Sequence, residues 1–182
     1  EEERERERER RARMKPIDPN SGLELVVEKM TYNKTLHWHR KDLTTIPPAL
    51  WQMPNNAQLQ QLYLENNKIK VLPPQLFGLT SLVVLNLSNN SIEHIDPEIG
   101  TLTNLETLTV AYNKIKWFSE EVGGCVSLKN LSVFNNTLTV VPLALSACTS
   151  LEMLNLGRNN WKVYSPEVHE QEEEEEEEEE EE

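Results

Sequence analysis

Between Leu59 and Asn159 one apolar pattern returns every 23 residues, its first position falling on Leu59, Leu82, Leu105, Leu128 and Leu151 with no insertion between them. Starts in such strict register do not arise from composition, and they restrict the chain to a stack of equal units. Positions 4 and 6 are Leu62 and Leu64, Leu85 and Leu87, Leu108 and Val110, Leu131 and Val133, Leu154 and Leu156. Alternation puts these side chains on one face of a short strand and positions 5 and 7 on the other. Position 9 is Asn67, Asn90, Asn113, Asn136 and Asn159. A short amide bonds the backbone of its own turn, and stacked turns can align such amides into a ladder. Positions 11, 14, 18 and 21 are apolar (Ile69, Leu72, Leu76 and Leu79), so the return segment also faces the core. Proline at or near position 15 (Pro73, Pro97, Pro142) forbids an ordinary helix there and favours extended backbone. One repeat cannot bury its own apolar face, but stacked repeats can. The predicted result is a curved parallel sheet with loops and short helical turns behind it.

This repeat, LxxLxLxxNxIxxLPxxLxxLxx, resembles that of intracellular leucine-rich repeat proteins of the Ras-suppressor, Ras-binding and Scribble group. The resemblance covers residues 33–168. It implies an α/β leucine-rich repeat solenoid, a right-handed curved horseshoe of about six repeats with a concave parallel β-sheet and convex loops and short helical turns. The repeated residues build the core, so the resemblance specifies the fold and leaves the ligand to the variable positions.

Charge divides the chain. Net charge is -13, yet residues 33–168 carry 10 basic and 10 acidic side chains, and residues 169–182 carry 12 Glu and no basic residue. Overall acidity therefore describes the tail and not the repeat domain. Residues 1–16 are a charged low-complexity flank of alternating Glu and Arg, expected to be solvated; its interleaved carboxylates cancel the attraction of its arginines for nucleic acid. Residues 17–32 are predicted to form a capping helix: Ser21 and Glu24 have capping-box spacing, and Leu23, Val26, Val27 and Met30 share one helical face. Residues 33–58 read as a degenerate first repeat, with Leu36 and Trp38 at positions 4 and 6 and Lys41 where the others have Asn. The last repeat keeps register through Trp161, Tyr164 and Val168, and then gives way to the Glu-rich tail at 169–182. A run of like charge cannot bury the apolar end of a solenoid. Low-complexity runs at both ends and no initiator Met are the pattern expected of a segment of a longer protein.

The concave surface is read from the variable positions. Most of it is small and polar, but Tyr63, Tyr112, Phe134, Met153 and Arg158 are of types enriched at interface hot spots. Tyr112 and Phe134 fall on adjacent strands, about 4.8 Å apart, and are expected to form one aromatic patch; the alternative is isolated exposed aromatics. Glu65, Asn86, His37 and His39 complete the expected contact set. His37, His39 and Glu65 also have the composition of a metal site, but Arg40 and Lys41 beside them and the lack of any further motif favour a polar concave edge. No metal or other cofactor is expected. Cys125 and Cys148 share position 21 and read as small core hydrophobes. No nucleophile–base constellation or phosphate loop is present, and no apolar run is long enough to span a membrane. Trp117, outside the core stripe, is a second candidate contact on the flank.

These readings converge on an intracellular, non-enzymatic scaffold, cytoplasmic with the nucleus as alternative, that binds a protein partner on its concave face, alone or as a subunit of a larger assembly. Two other readings stay open. Acidic-tailed leucine-rich repeat proteins bind basic partners such as histones, and the chain shares that layout. It can equally be the targeting module of a larger enzyme complex. Sequons such as those at Asn86, Asn89, Asn130 and Asn135 fall on the expected binding face and read as products of an Asn-rich repeat.

Overall fold

A computed structural model describes residues 34–52 and 56–162. The predicted capping helix over 17–32, the flank at 1–16 and the tail at 169–182 lie outside the described residues. Eight strands are formed: β1 (Thr35–His37), β2 (Gln61–Tyr63), β3 (Val84–Asn86), β4 (His94–Ile95), β5 (Thr107–Thr109), β6 (Trp117–Phe118), β7 (Asn130–Ser132) and β8 (Met153–Asn155). Six of them make one parallel sheet in the order β1-β2-β3-β5-β7-β8, and β4 pairs with β6 in a second, two-stranded sheet. Register follows the repeat, so Leu36, Leu62, Leu85, Leu108, Leu131 and Leu154 stand in one row. This is the leucine-rich repeat solenoid that the period requires. The strands of the six-stranded sheet are three residues long, at positions 3 to 5, and backbone bonds between repeats continue past them, as from Leu64 N–H to Asn86 O and from Asn66 N–H to Ser88 O, up to the turn at position 8.

That turn has a consistent backbone. Arg40, Asn66, Asn89, Tyr112, Asn135 and Arg158, all at position 8, have φ between 53° and 59°. Asn tolerates the left-handed region; Tyr and Arg carry a steric cost there.

Position 9 then locks the turn. Asn113 donates from Nδ2 to Val110 O in its own repeat and to Leu87 O in the preceding one, both at 3.0 Å. Its Oδ1 accepts from the backbone N–H of Ile92 at 3.0 Å. The same triad recurs at Asn90, Asn136 and Asn159. Each amide therefore satisfies groups in two repeats and fixes their spacing. Asn67 makes the same triad, to Leu64 O and Trp38 O and from Leu43 N–H, and next to the first repeat, which has Lys41 in place of Asn, its Oδ1 also accepts from Lys41 N–H at 3.0 Å.

Behind the sheet the chain returns through 3₁₀ turns at Pro74–Gly78, Pro97–Thr101, Glu120–Gly124 and Leu143–Ala147. Their N-termini are extended at Pro73 and at Asp96 before Pro97, as the proline pattern predicts, and also at Ser119, in a repeat that has no proline there. Two glycines permit neighbouring turns to touch: a Cβ on Gly100 would strike the carbonyl of Glu121, and one on Gly124 would lie 2.5 Å from Gly100 O. Glu120 and Glu121 are exposed but have structural roles. The Glu120 carboxylate accepts from Leu143 N–H (3.2 Å) and Ala144 N–H (2.8 Å) of the next turn. The Glu121 carboxylate bonds the Ser119 hydroxyl, and this bond, then the backbone N–H of Glu121, lowers its pKa.

One continuous core runs from Leu36 to Cys148, with Leu59, Leu82, Leu105 and Leu128 fully buried. Cys125 and Cys148 lie in it as free thiols, donating to Ile99 O (3.2 Å) and Val122 O (3.5 Å). Burial, with a smaller contribution from Cys148, pushes the Cys125 thiol from 9.0 to about 12; burial also raises Cys148. At the carboxy-terminal end Leu154 is 44% exposed although its row mates are buried, because no described strand follows β8. Trp161 partly covers this end, its Nε1 donating to Leu156 O.

Asn113→Ala should cost about 2–3 kcal/mol in urea unfolding, since it strands the buried Ile92 N–H, while Asn159→Ala, reachable by water, should cost about 1 kcal/mol. The thiols give a second expectation. Folding holds the Cys125 proton more tightly, so its contribution is fully present below pH 9 and is lost as pH rises from 9 towards about 12. Thiol alkylation at pH 8 should accordingly be blocked in the native protein and complete in urea.

Candidate functional site

The variable residues of the sheet gather into two clusters. At the amino-terminal end His37 of β1 lies opposite Tyr63 of β2, and their rings stack at 4.6 Å with 7° between planes. His39 meets His37 edge-on at 5.9 Å, and its Nδ1 is 3.8 Å from Glu65 Oε1. The Tyr63 hydroxyl donates to Gln61 Oε1 at 3.2 Å. His37 is thus engaged by an aromatic face and does not converge with His39 and Glu65 on a common point. Among the described residues no group of three His, Cys, Asp or Glu is set to hold a metal ion. The surface here is polar and aromatic, with one buried carboxylate oxygen, Glu65 Oε2, lacking a hydrogen-bond partner.

The second cluster lies where the turns after β5, β7 and β8 stand side by side. Tyr112 and Phe134 meet edge to face with ring centroids 5.4 Å apart. The Arg158 guanidinium carbon lies 5.5 Å from the Phe134 centroid, within cation–π range. Position 7 explains why one large ring fits there. Its neighbours are Ala111 on one side and Gly157 on the other, and a Cβ on Gly157 would come within 3.1 Å of the Phe134 ring. Tyr112 is 46% exposed, so the patch is open to a ligand.

Asn86 stands between the clusters at the centre of the sheet and spends its Oδ1 on Ser88 N–H at 3.1 Å. Met153 belongs to neither. It is 67% exposed on the edge strand and lines a shallow groove with Thr109, Asn130, Ser132, Leu154 and Asn155. The nine residues expected from the sequence therefore divide into a histidine–tyrosine edge, an aromatic–arginine patch, one central amide and one residue at the open end.

A further exposed set follows position 13. Val71, His94, Trp117 and Val140 occupy it in successive repeats, and His94 pairs with Trp117 in the small sheet. Trp117 was legible as an outlying aromatic; the ridge appears when the same 23-residue count is applied to position 13.

A solenoid whose constant residues are interior and whose variable residues line a curved sheet is a leucine-rich repeat interaction fold, a type that commonly binds protein partners and is typically non-enzymatic. The leucine rich repeat family model matches residues 57–115 and again residues 80–138. No curated protein matches the chain in sequence. Among solved structures it is similar to a leucine-rich repeat protein of Leptospira interrogans, with 29% identity and a TM-score of 0.61 over 73% of this chain and 39% of that one. An internalin of Listeria monocytogenes gives 25% identity and a TM-score of 0.62 over 71% of this chain and 36% of the other. TLR13, in its complex with ssRNA13, gives 34% identity and a TM-score of 0.60 over 69% of this chain and 18% of the other. The chain thus spans less than two fifths of these proteins.

Tyr112 holds a left-handed backbone that suits Asn better. Tyr112→Asn should leave stability unchanged or raise it by up to about 1 kcal/mol in urea unfolding, whereas Gly157→Ala should lower it by displacing Phe134.

Proposed function

We propose that the chain is a non-catalytic scaffold that receives a protein partner on its concave face. Tyr112, Phe134 and Arg158 form the central contact, with Asn86 and the His37, His39, Tyr63 and Glu65 edge extending the surface, and Met153 at its open end. The observation that carries this reading is the exposed Tyr112 ring, packed on Phe134 and held on a backbone that disfavours tyrosine. Residues kept against a local steric preference point to a role of the side chain itself. Aromatic rings packed on each other, with Phe134 bracketed by small residues, supply contact area with little loss of side-chain freedom, and Arg158 adds planar donors at the rim. The strands that lead to Tyr112 and Phe134, β5 and β7, are hydrogen-bonded on both sides, so docking there requires little backbone change.

We further infer an intracellular setting within the Ras-suppressor, Ras-binding and Scribble-like group. Its support is the LPxxL register with a 23-residue period, together with two buried free thiols.

Proximity labelling in cells with wild type and a Tyr112→Asn/Phe134→Ser variant tests the concave assignment. Proteins recovered with wild type should be lost with the folded variant and retained with a Glu98→Gln control on the convex side. Equal recovery with both variants would remove the concave face as the working surface.

A further inference from the structure

Positions 10 and 12 lie on the flank that leads from each strand to the convex turns. In successive repeats they hold Lys68 and Lys70, Ser91 and Glu93, Lys114 and Lys116, Thr137 and Thr139, Asn160 and Lys162. With Asp42 and Thr44 at the same positions of the first repeat, five lysines and two carboxylates therefore share one side of a domain whose basic and acidic residues balance overall. Other acidic side chains sit elsewhere: Glu98, Glu120 and Glu121 in the convex turns, Glu106 and Glu152 at position 2 on the opposite border of the sheet. Lys68 and Lys116 have exposed partners, Asp42 at 2.8 Å and Glu93 at 3.4 Å. Lys70, Lys114 and Lys162 are exposed and make no ion pair with a described residue. Beside the lysines runs the position-13 ridge, with Val71, Trp117 and Val140 each about half exposed.

A row of five ammonium groups along an exposed ridge, three of them without an ion-pair partner among the described residues, suits an extended polyanion, and the chain carries one. We propose that Glu172–Glu182 docks on its own domain along this flank, with its carboxylates opposite Lys162, Lys116, Lys114 and Lys70. Three observations support this occupant. Lys162 is itself on the flank, so the segment leading to the Glu run starts at one end of the lysine row. Lys162 to Lys70 spans four repeats, about 20 Å at ~4.8 Å per strand. The ten residues from Lys162 to Glu172 reach at most ~35 Å and the Glu run about as far again, so the row can be covered with slack. Tethering also holds the carboxylates at an effective concentration on the order of millimolar. A separate acidic ligand would have to displace them. Each exposed pair is weak and screened by salt, so docking depends on several pairs acting together and loosens as ionic strength rises. In the docked state the flank is neutralised and the Trp117 ridge is covered, while the concave patch stays open.

Zero-length carbodiimide crosslinking of the whole chain, mapped by mass spectrometry, tests this. Lys70, Lys114, Lys116 and Lys162 should crosslink to residues 172–182 within one molecule, several-fold more than Lys129, which lies on the opposite border beside Glu106. The yield should fall at least about threefold at roughly 0.5 M salt, where the Debye length is only a few ångströms. A Lys70→Glu/Lys114→Glu variant with an unchanged circular dichroism spectrum should lose most tail crosslinks at Lys116. Crosslinks spread evenly over all lysines would overturn the proposal, as would their absence. Crosslinks joining isotope-labelled to unlabelled copies would also overturn it, and would name a second copy as the occupant.

Discussion

Each repeat of this solenoid depends on one side-chain amide that serves two repeats at once. Asn90, Asn113 and Asn136 each join a carbonyl of their own turn, a carbonyl of the preceding turn and a preceding N–H, all beneath the surface. Buried backbone groups at a sharp turn must be paired, and three-residue strands leave many of them unpaired. The amide resolves this with a fixed geometry, which is why the repeats keep one spacing and why an insertion is absent from Leu59 onward. Leucine burial supplies the driving force, but it is non-directional. The ladder sets the register that lets the leucines stack.

Because those directional bonds come from constant positions, the remaining positions are free to vary without endangering the fold. Variation is not unconstrained, however. The turn before each amide is left-handed at position 8, so a large residue there is held outward at a steric cost. Phe134 at position 7 needs Ala111 and Gly157 on either side. The aromatic patch is therefore a coordinated departure across three repeats, and a single substitution would not create it.

Charge is distributed by the same repeat logic. A residue type that recurs at one position becomes a stripe when repeats stack. Lysines at positions 10 and 12 form a basic flank, and carboxylates in the 3₁₀ segments close the convex turns through bonds such as that of Glu120 to Leu143 and Ala144. A domain with no net charge thus presents surfaces of opposite character, and overall composition conceals this.

The sequence by itself determined the solenoid, its register, the core rows, the Asn ladder and the buried state of both cysteines, because a strict period translates directly into stacking. It also placed Tyr112 near Phe134 and Glu65 near His39, since stacking brings the same or adjacent positions of successive repeats side by side. Only the tertiary structure decided the rest. It turned His37 onto Tyr63, set Arg158 over Phe134, gave Asn67 an added bond from Lys41 N–H, and gave Glu120 a capping role. It also separated Met153 from the aromatic patch, leaving it on the open edge strand. These outcomes depend on side-chain rotamers and on the backbone angles of the turns, which the 23-residue period leaves unspecified.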